Sequence, residues 1–371
     1  MEFFHKRTWA EIDLAAAEKN LNILTGFIDE TKTRPCCVLK AFGYGHGDIN
    51  LMKLYQTLGV DFFAVSNIDE AIGLRRHGCT GDILILGYTA PQYAAELSRF
   101  DIIQAAVSEE YAKELSEAAK SPVRVHIKLD TGMHRLGFMT SELAELEEYL
   151  ASTDRVKVKS IFSHLAAAED PESDAFTLGQ IEMFNRNATA LTDSLGYRPM
   201  LHILNSAGIE RFPQYQYDMV RLGIGIYGVS ALPGVQLAPV ASFKCKILQI
   251  KNLKPEDGTI GYGRHGQIAP EGTTIATIPV GYADGIDRHL GCGHCSFLLN
   301  GHRVPTIGNI CMDMCMLDIT GVPAQVGDTV TIFGKEPTIS ELADILGTIP
   351  YEILTSVPRR IERVVISGPA E

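Results

Sequence analysis

Between Pro35 and Gly228 the sequence alternates eight short apolar runs, rich in β-branched residues, with stretches of helical spacing, and few folds accommodate that order. The strand candidates are Cys36–Ala41, Asp61–Val65, Asp82–Leu86, Ile102–Ala106, Val123–Leu129, Val158–Phe162, Leu201–Leu204 and Met219–Leu222. Helical patterns fall between them at Ile49–Leu58, Ile68–His77, Pro91–Leu97, Glu109–Ala119, Ser141–Leu150 and Thr177–Leu195, several closed by a glycine. Strands that alternate with helices pair in parallel, and eight of them over about 200 residues suit an N-terminal (β/α)8 barrel of the α/β class. An open doubly wound sheet is the alternative, because periodicity does not reveal closure.

After Leu237 the pattern changes. Ala241–Ile250, Thr274–Pro279, Ser296–Leu299, Cys315–Asp318 and Thr329–Phe333 read as strands separated by Pro, Gly, Asp and Asn, with helical spacing only at Ser340–Leu346 and Tyr351–Ser356. A mostly β second domain is expected, and the turn-rich Leu232-Pro233-Gly234 puts the division at 1–234 and 235–371. The early strand-like stretch Thr8–Leu14 fits either part.

Charge narrows the partners. With 33 Lys+Arg against 45 Asp+Glu, the net charge of −12 argues against affinity for nucleic acid or anionic lipid, so an anionic ligand must meet local positive groups. No apolar run is long enough to span a bilayer and no secretory leader is evident at the start, so a cytoplasmic protein is expected. Eight cysteines allow one metal reading, a zinc site from Cys292-x-x-Cys295 and Cys311-x3-Cys315. Thiols in a reducing compartment more often serve as small buried apolar residues, and neither metal nor disulfide is expected.

Polar residues gather where strands end, which in a barrel is the catalytic rim. Lys40 follows Cys36–Leu39; Lys128 and Asp130 close the fifth run; His164 follows the sixth; Asn205 and Ser206 follow the seventh; Arg221 sits in the eighth. A lysine leaving an apolar strand is partly desolvated, which favours the neutral amine and Schiff-base chemistry. The glycine-rich Gly43-Tyr44-Gly45-His46-Gly47, Asn205-Ser206-Ala207-Gly208 and Arg221-Leu222-Gly223-Ile224-Gly225 bring backbone N–H groups where barrels hold phosphate. A strand-end amine with a phosphate cup after strands seven and eight points to pyridoxal 5'-phosphate.

At these residues the sequence resembles the alanine racemases. The resemblance is carried by Val38–Gly47, Lys128–Gly137, Arg221–Gly228, Gly281-Tyr282-Ala283-Asp284-Gly285 and Cys311-Met312-Asp313, and it reaches Tyr351. It implies a pyridoxal-phosphate isomerase that interconverts L- and D-alanine and supplies D-alanine for peptidoglycan. Lys40 would hold the cofactor and act as base on one face of Cα, while Tyr262 of a partner subunit serves the opposite face. Inversion requires two such groups, since a single base tends to return the proton where it took it. Arg221 would face the pyridine nitrogen, buttressed by His164, and Tyr44, Asn205, Ser206, Gly223, Ile224 and Tyr351 would hold the cofactor around its phosphate. Arg135 and Met312 would bind the substrate carboxylate. Lys128, carbamylated in several relatives, would orient Arg135, and Tyr282, Arg288 and Asp313 would line the entrance or support the second base. The implied assembly is a homodimer with shared active sites.

Three departures from the family pattern touch substrate range rather than reaction class: Asn309 stands for an arginine, Met314 for a glutamine, and Phe42-Gly43 follow the lysine in place of an acidic or amide residue and alanine. The rival readings are a serine or serine/alanine racemase of the glycopeptide-resistance type, which carries a membrane domain not expected here, and a non-catalytic pyridoxal-phosphate carrier, which consists of the barrel alone.

Overall fold

The computed structural model describes residues 7–367, and the chain divides into two compact units. The larger holds Ala17–Gly43 and Asp48–Leu237. Its eight parallel strands are β2 (Arg34–Val38), β3 (Phe62–Val65), β4 (Asp82–Ile85), β5 (Ile103–Ala106), β6 (Val123–Lys128), β7 (Val156–Phe162), β8 (Met200–His202) and β9 (Met219–Leu222). They pair in the order β8-β7-β6-β5-β4-β3-β2-β9. The two edges meet where the Asp218 N–H donates to Leu201 O at 3.1 Å and the Arg221 N–H to Leu204 O at 3.0 Å, which closes the barrel. All four residues of β3 and all four of β5 are buried, as strands covered on both faces must be.

Local chemistry sets the crossovers. Asn67, Ser108 and Asn205 each accept, through the side chain, a backbone N–H three residues ahead and so start their helices, and Gly196 ends helix Asp174–Leu195 in the left-handed region. The turn after β2 is unusual. Ala41, Phe42 and Gly43 follow one another with φ of 54°, 58° and 58°, and Tyr44 with φ 50°. Gly43 N–H reaches back to Leu39 O at 2.9 Å, so a left-handed helical turn stands at the mouth of the strand that delivers Lys40. Each non-glycine residue there costs about 1–2 kcal/mol, a strain kept only where surrounding contacts over-determine the backbone.

The smaller unit is β-rich. Its nine-stranded sheet runs, in space, through Gln249–Leu253, Thr273–Ile278, Cys315–Asp318, His302–Ile307, Ser296–Leu299, Thr329–Phe333, Ala241–Lys246, β1 (Thr8–Asp13) and Glu362–Ser367. The stretch of uncertain placement thus belongs here: β1 pairs antiparallel with Ala241–Lys246 and parallel with Glu362–Ser367. This corrects the 1–234 assignment, since β1 and the residues up to Ala16 cluster with the second unit, as does Tyr44–Gly47, and the later break falls between 237 and 238. The run Ala241–Ile250 is two strands, broken at Ile247 and Leu248. Helices Leu14–Thr25 and Ser206–Arg211 and strands His302–Ile307 and Glu362–Ser367 were not read from the sequence.

No helix among the described residues is long and apolar enough to cross a membrane. Nor do any three His, Cys, Asp or Glu side chains among them gather to hold a metal ion, so the two cysteine pairs form no zinc centre there. Cys295 and Cys315 instead sit buried, where burial raises both thiols.

Candidate active site

Lys40 leaves β2 two residues after Val38, whose carbonyl accepts the Tyr227 hydroxyl at 2.8 Å. Its amine is held below the usual lysine range, first by burial and then by the charges of Arg135 and Arg221, with Glu70 acting the other way. That shift enlarges the neutral, nucleophilic fraction near neutral pH.

Arg221 is the most constrained charge of the site. The side chain is buried, and its guanidinium donates to Ser163 O at 2.7 Å and Ile203 O at 2.9 Å, contacts His164 Nδ1 at 3.2 Å and meets His202 Nδ1. Every partner is an acceptor, so none neutralises the cation. Burial lowers it to about 10, still far above neutrality. Because His202 Nδ1 accepts from Arg221, its proton sits on Nε2, which donates to His126 Nδ1 at 3.1 Å. The His202 ring also stacks on Phe162, with centroids 4.8 Å apart. His164 therefore shares the support of Arg221 with His202, a residue that the sequence pattern hid inside an apolar strand.

The three histidines set an acid limit. Burial and the charge of Arg221 hold His202 and His164 well below the usual range and His126 at about 3. An unfolded histidine takes up its proton near pH 6.5, so between that value and the depressed folded values the unfolded chain binds more protons. Stability is therefore level above about pH 6.5 and falls as pH drops below it, by up to about 1.4 kcal/mol per histidine per pH unit. Urea unfolding midpoints between about pH 7.5 and pH 5 are expected to follow that course, with a shallower fall in His126→Phe. A midpoint that does not change over this range speaks against neutral buried imidazoles.

Lys128, at the end of β6, donates to Leu136 O at 2.9 Å, and burial with Arg135 and Arg221 nearby lowers it to about 8. Arg135 rides the exposed tip of the loop that follows. The base of that loop is closed by the Asp130 N–H to Phe138 O bond at 2.9 Å and the Phe138 N–H to Lys128 O bond at 2.8 Å. Across the rim, the Ser206 hydroxyl accepts the N–H groups of Gly223 at 2.9 Å and Gly225 at 3.2 Å, leaving its own hydrogen to donate. A Cβ on Gly225 would sit 2.7 Å from Leu24 Cδ1 and 3.3 Å from Ser206 Oγ, so a side chain there would crowd both residues. Asn205 caps the following helix through Gly208 N–H, and Ile224 is buried beside Gly223. The barrel thus brings together Lys40, Lys128, Arg135, His164, Asn205, Ser206, Arg221, Gly223 and Ile224 on one rim.

The remaining expected residues lie in the smaller unit. The rings of Tyr44 and Tyr351 pack 5.8 Å apart. Tyr282 and Arg288 line one cavity of about 700 Å³. Gly281 leaves no room for a Cβ against the carbonyls of Cys311 and Met312, and Arg360 ties Asp313 to buried Asp284 at 2.8 and 2.7 Å. The Met312 side chain is exposed, and so is Tyr262, at 71%. Tyr262 stands between Gly261 and Gly263, both with positive φ, beside a cavity of about 470 Å³ that Cys311 and Met316 also line.

Asn309 has a clear task here. Buried, it donates to Tyr262 O at 2.7 Å and lies 3.0 Å from His265 Nδ1, so it fixes the backbone of the exposed tyrosine. Asn309→Ala removes a buried donor and is expected to cost about 1–3 kcal/mol in chemical denaturation; a loss under about 0.5 kcal/mol would show that the bond is not needed.

Known proteins supply the family. The sequence profile of the alanine racemase N-terminal domain matches residues 12–231, and that of the C-terminal domain residues 240–365. An alanine racemase of Desulfovibrio desulfuricans is 39% identical over 377 residues, covering 99% of this chain and 100% of its own. Alanine racemase 2 of Bacillus subtilis is 35% identical, covering 97% and 95%. Among solved structures, alanine racemase of Clostridium difficile 630 superposes with a TM-score of 0.91 at 34% identity, over 98% of this chain and 96% of that one. The Bacillus anthracis enzyme with bound L-Ala-P gives 0.91 at 30%, over the same shares. The chain, an α/β barrel joined to a mostly β unit and an isomerase, belongs to the alanine racemase family.

Proposed function

We propose that this isomerase interconverts L- and D-alanine with pyridoxal 5'-phosphate, using Lys40 and the partner subunit's Tyr262 as opposed proton carriers. The observation that carries the reading is the Lys40 amine, depressed by burial and by two guanidinium groups, at the end of a barrel strand whose rim also presents a cation held only by acceptors. The donor set fits the cofactor. The Ser206 hydroxyl, with a hydrogen to give, suits its phosphate, together with Gly223 and Ile224. Tyr44 and Tyr351 keep the same assignment by resemblance. Lys40 Nζ would tether its aldehyde carbon, and Arg221 would face its ring nitrogen.

Bound there, the cofactor supplies an electron sink that acidifies the α C–H of an amino acid. Lys40 Nζ removes or returns the proton on one face, and the Tyr262 hydroxyl serves the other. Arg221 donates a hydrogen bond without surrendering a proton, which keeps the sink weak and favours reprotonation over side reactions. Arg135 draws the substrate carboxylate by charge, and a carbamate on Lys128, made accessible by its value of about 8, would orient Arg135. Met312 is assigned a backbone N–H to the same carboxylate. Tyr282, Arg288 and Asp313 are assigned to the mouth of the site, each site being completed across a homodimer. The product would serve peptidoglycan synthesis.

The test is an absorbance spectrum of the purified protein, borohydride trapping with mapping of the modified residue, then conversion of L-alanine and L-serine in deuterated solvent. Adduct on Lys40, with Cα exchange in L-alanine exceeding that in L-serine, is the expected result. Absence of an adduct would sink the cofactor assignment, and faster serine turnover would move the substrate to serine.

A further inference from the structure

The left-handed turn after β2 raises the question of what holds it. Glu70, third residue of helix Ile68–Arg76, reaches across with both carboxylate oxygens: Oε1 accepts the Ala41 N–H at 2.7 Å and Oε2 the Ser66 N–H at 2.8 Å. Its own N–H is fixed on Asn67 Oδ1 at 3.0 Å, and a carboxylate in the first turn of a helix is favoured by the aligned peptide dipoles. One side chain thereby joins the residue that follows Lys40 to the residue that follows β3. The groups facing the Lys40 amine complete the picture. Arg135 comes from the loop after β6, Arg221 from β9, and neutral His164 from the end of β7; Glu70 alone brings a negative charge among those named.

We propose that Glu70 is a positioning residue for Lys40: its carboxylate clamps the Ala41 and Ser66 N–H groups so that the strained turn presents the amine in one place, and its charge offsets Arg135 and Arg221 there. The proposal rests on Lys40 being the working amine of the site. Glu70→Gln keeps the size and one acceptor but loses the second acceptor and the charge. Glu70→Asp keeps the charge on a shorter arm. With the Glu70 charge gone, the two guanidinium groups disfavour the ammonium form of Lys40 further, so its titration must move to lower pH.

Two readouts on the full-length protein separate this from a merely structural part. Competitive acylation of Lys40 at graded pH, after hydroxylamine treatment to free the amine, is expected to give a midpoint about one pH unit lower in Glu70→Gln and near wild type in Glu70→Asp. Amide exchange of the peptide spanning residues 36–47 is expected to accelerate about tenfold in Glu70→Gln. An unchanged Lys40 midpoint in Glu70→Gln overturns the proposal. If that variant does not fold, Glu70→Asp decides: its shorter arm cannot hold both N–H groups, so amide exchange of residues 36–47 at the wild-type rate overturns the proposal. A wild-type protein without a trapped Lys40 adduct would instead strike the cofactor reading, and the two Glu70 readouts would still be measurable.

Discussion

Lys40→Ala is expected to abolish racemisation in both directions, by about 10⁴-fold or more. Two losses coincide in this substitution. The chain loses the amine that would tether the cofactor, and it loses the proton carrier on one face of Cα. The surroundings make lysine hard to replace: burial, then Arg135 and Arg221, hold the amine below the usual lysine range, whereas a guanidinium at position 40 would keep its proton. Lys40→Arg is therefore expected to be as inactive as the alanine variant, although its charge is conserved. Steady-state conversion of L- and D-alanine, measured separately, checks both. Activity within tenfold of wild type in either variant would remove Lys40 from the reaction.

The second large effect concerns Tyr262. Tyr262→Phe deletes one oxygen from a side chain that is already 71% exposed, so folding is expected to be untouched and the spectrum of the loaded protein unchanged. Proton removal from L-alanine is expected to fall by about 10²–10⁴-fold. A mixed assembly is more telling. If each site takes Lys40 from one subunit and Tyr262 from the other, inactive Lys40→Ala and Tyr262→Phe chains unfolded together and refolded as a mixture regain one intact site in every hybrid. At equal amounts half of the dimers are hybrids, which restores about a quarter of wild-type activity. No recovery, with hybrid dimers demonstrated by native mass spectrometry, would show that the two residues do not meet across an interface.

The barrel was legible because its strands are buried on both faces and so write themselves as unbroken apolar runs. Asp82–Ile85 and Met219–Leu222 lie within a residue of the expected runs. His302–Ile307 was hidden by its own composition, since Arg303 and Pro305 interrupt any strand pattern, and Glu362–Ser367 opens with a Glu-Arg pair. Helix Leu14–Thr25 follows β1 with no turn between them, and its start signal, Asp13 accepting the Ala16 N–H at 3.0 Å, is itself the last strand residue.

The site was legible to the same uneven degree. Lys40, Lys128, His164 and Arg221 show themselves by position, as polar residues where apolar strands end. His126 and His202 lie within strands, and only the three-dimensional neighbourhood of Arg221 gives them a role. The left-handed turn could not be foreseen, because Ala41 and Phe42 are residues that ordinarily avoid it, and Glu70 reads in sequence as an ordinary acid near a helix start.

The position of β1 has a consequence for the order of events during synthesis. Residues 8–13 are made before the barrel, yet both of their hydrogen-bonded neighbours, Ala241–Lys246 and Glu362–Ser367, are made only after the whole barrel sequence. The strand must wait unpaired through translation of more than 200 residues, and the second of its two neighbours is made more than 100 residues after the first. Nascent chains halted after residue 237 but before residue 241 should therefore protect the barrel from protease while leaving that opening segment open to cleavage.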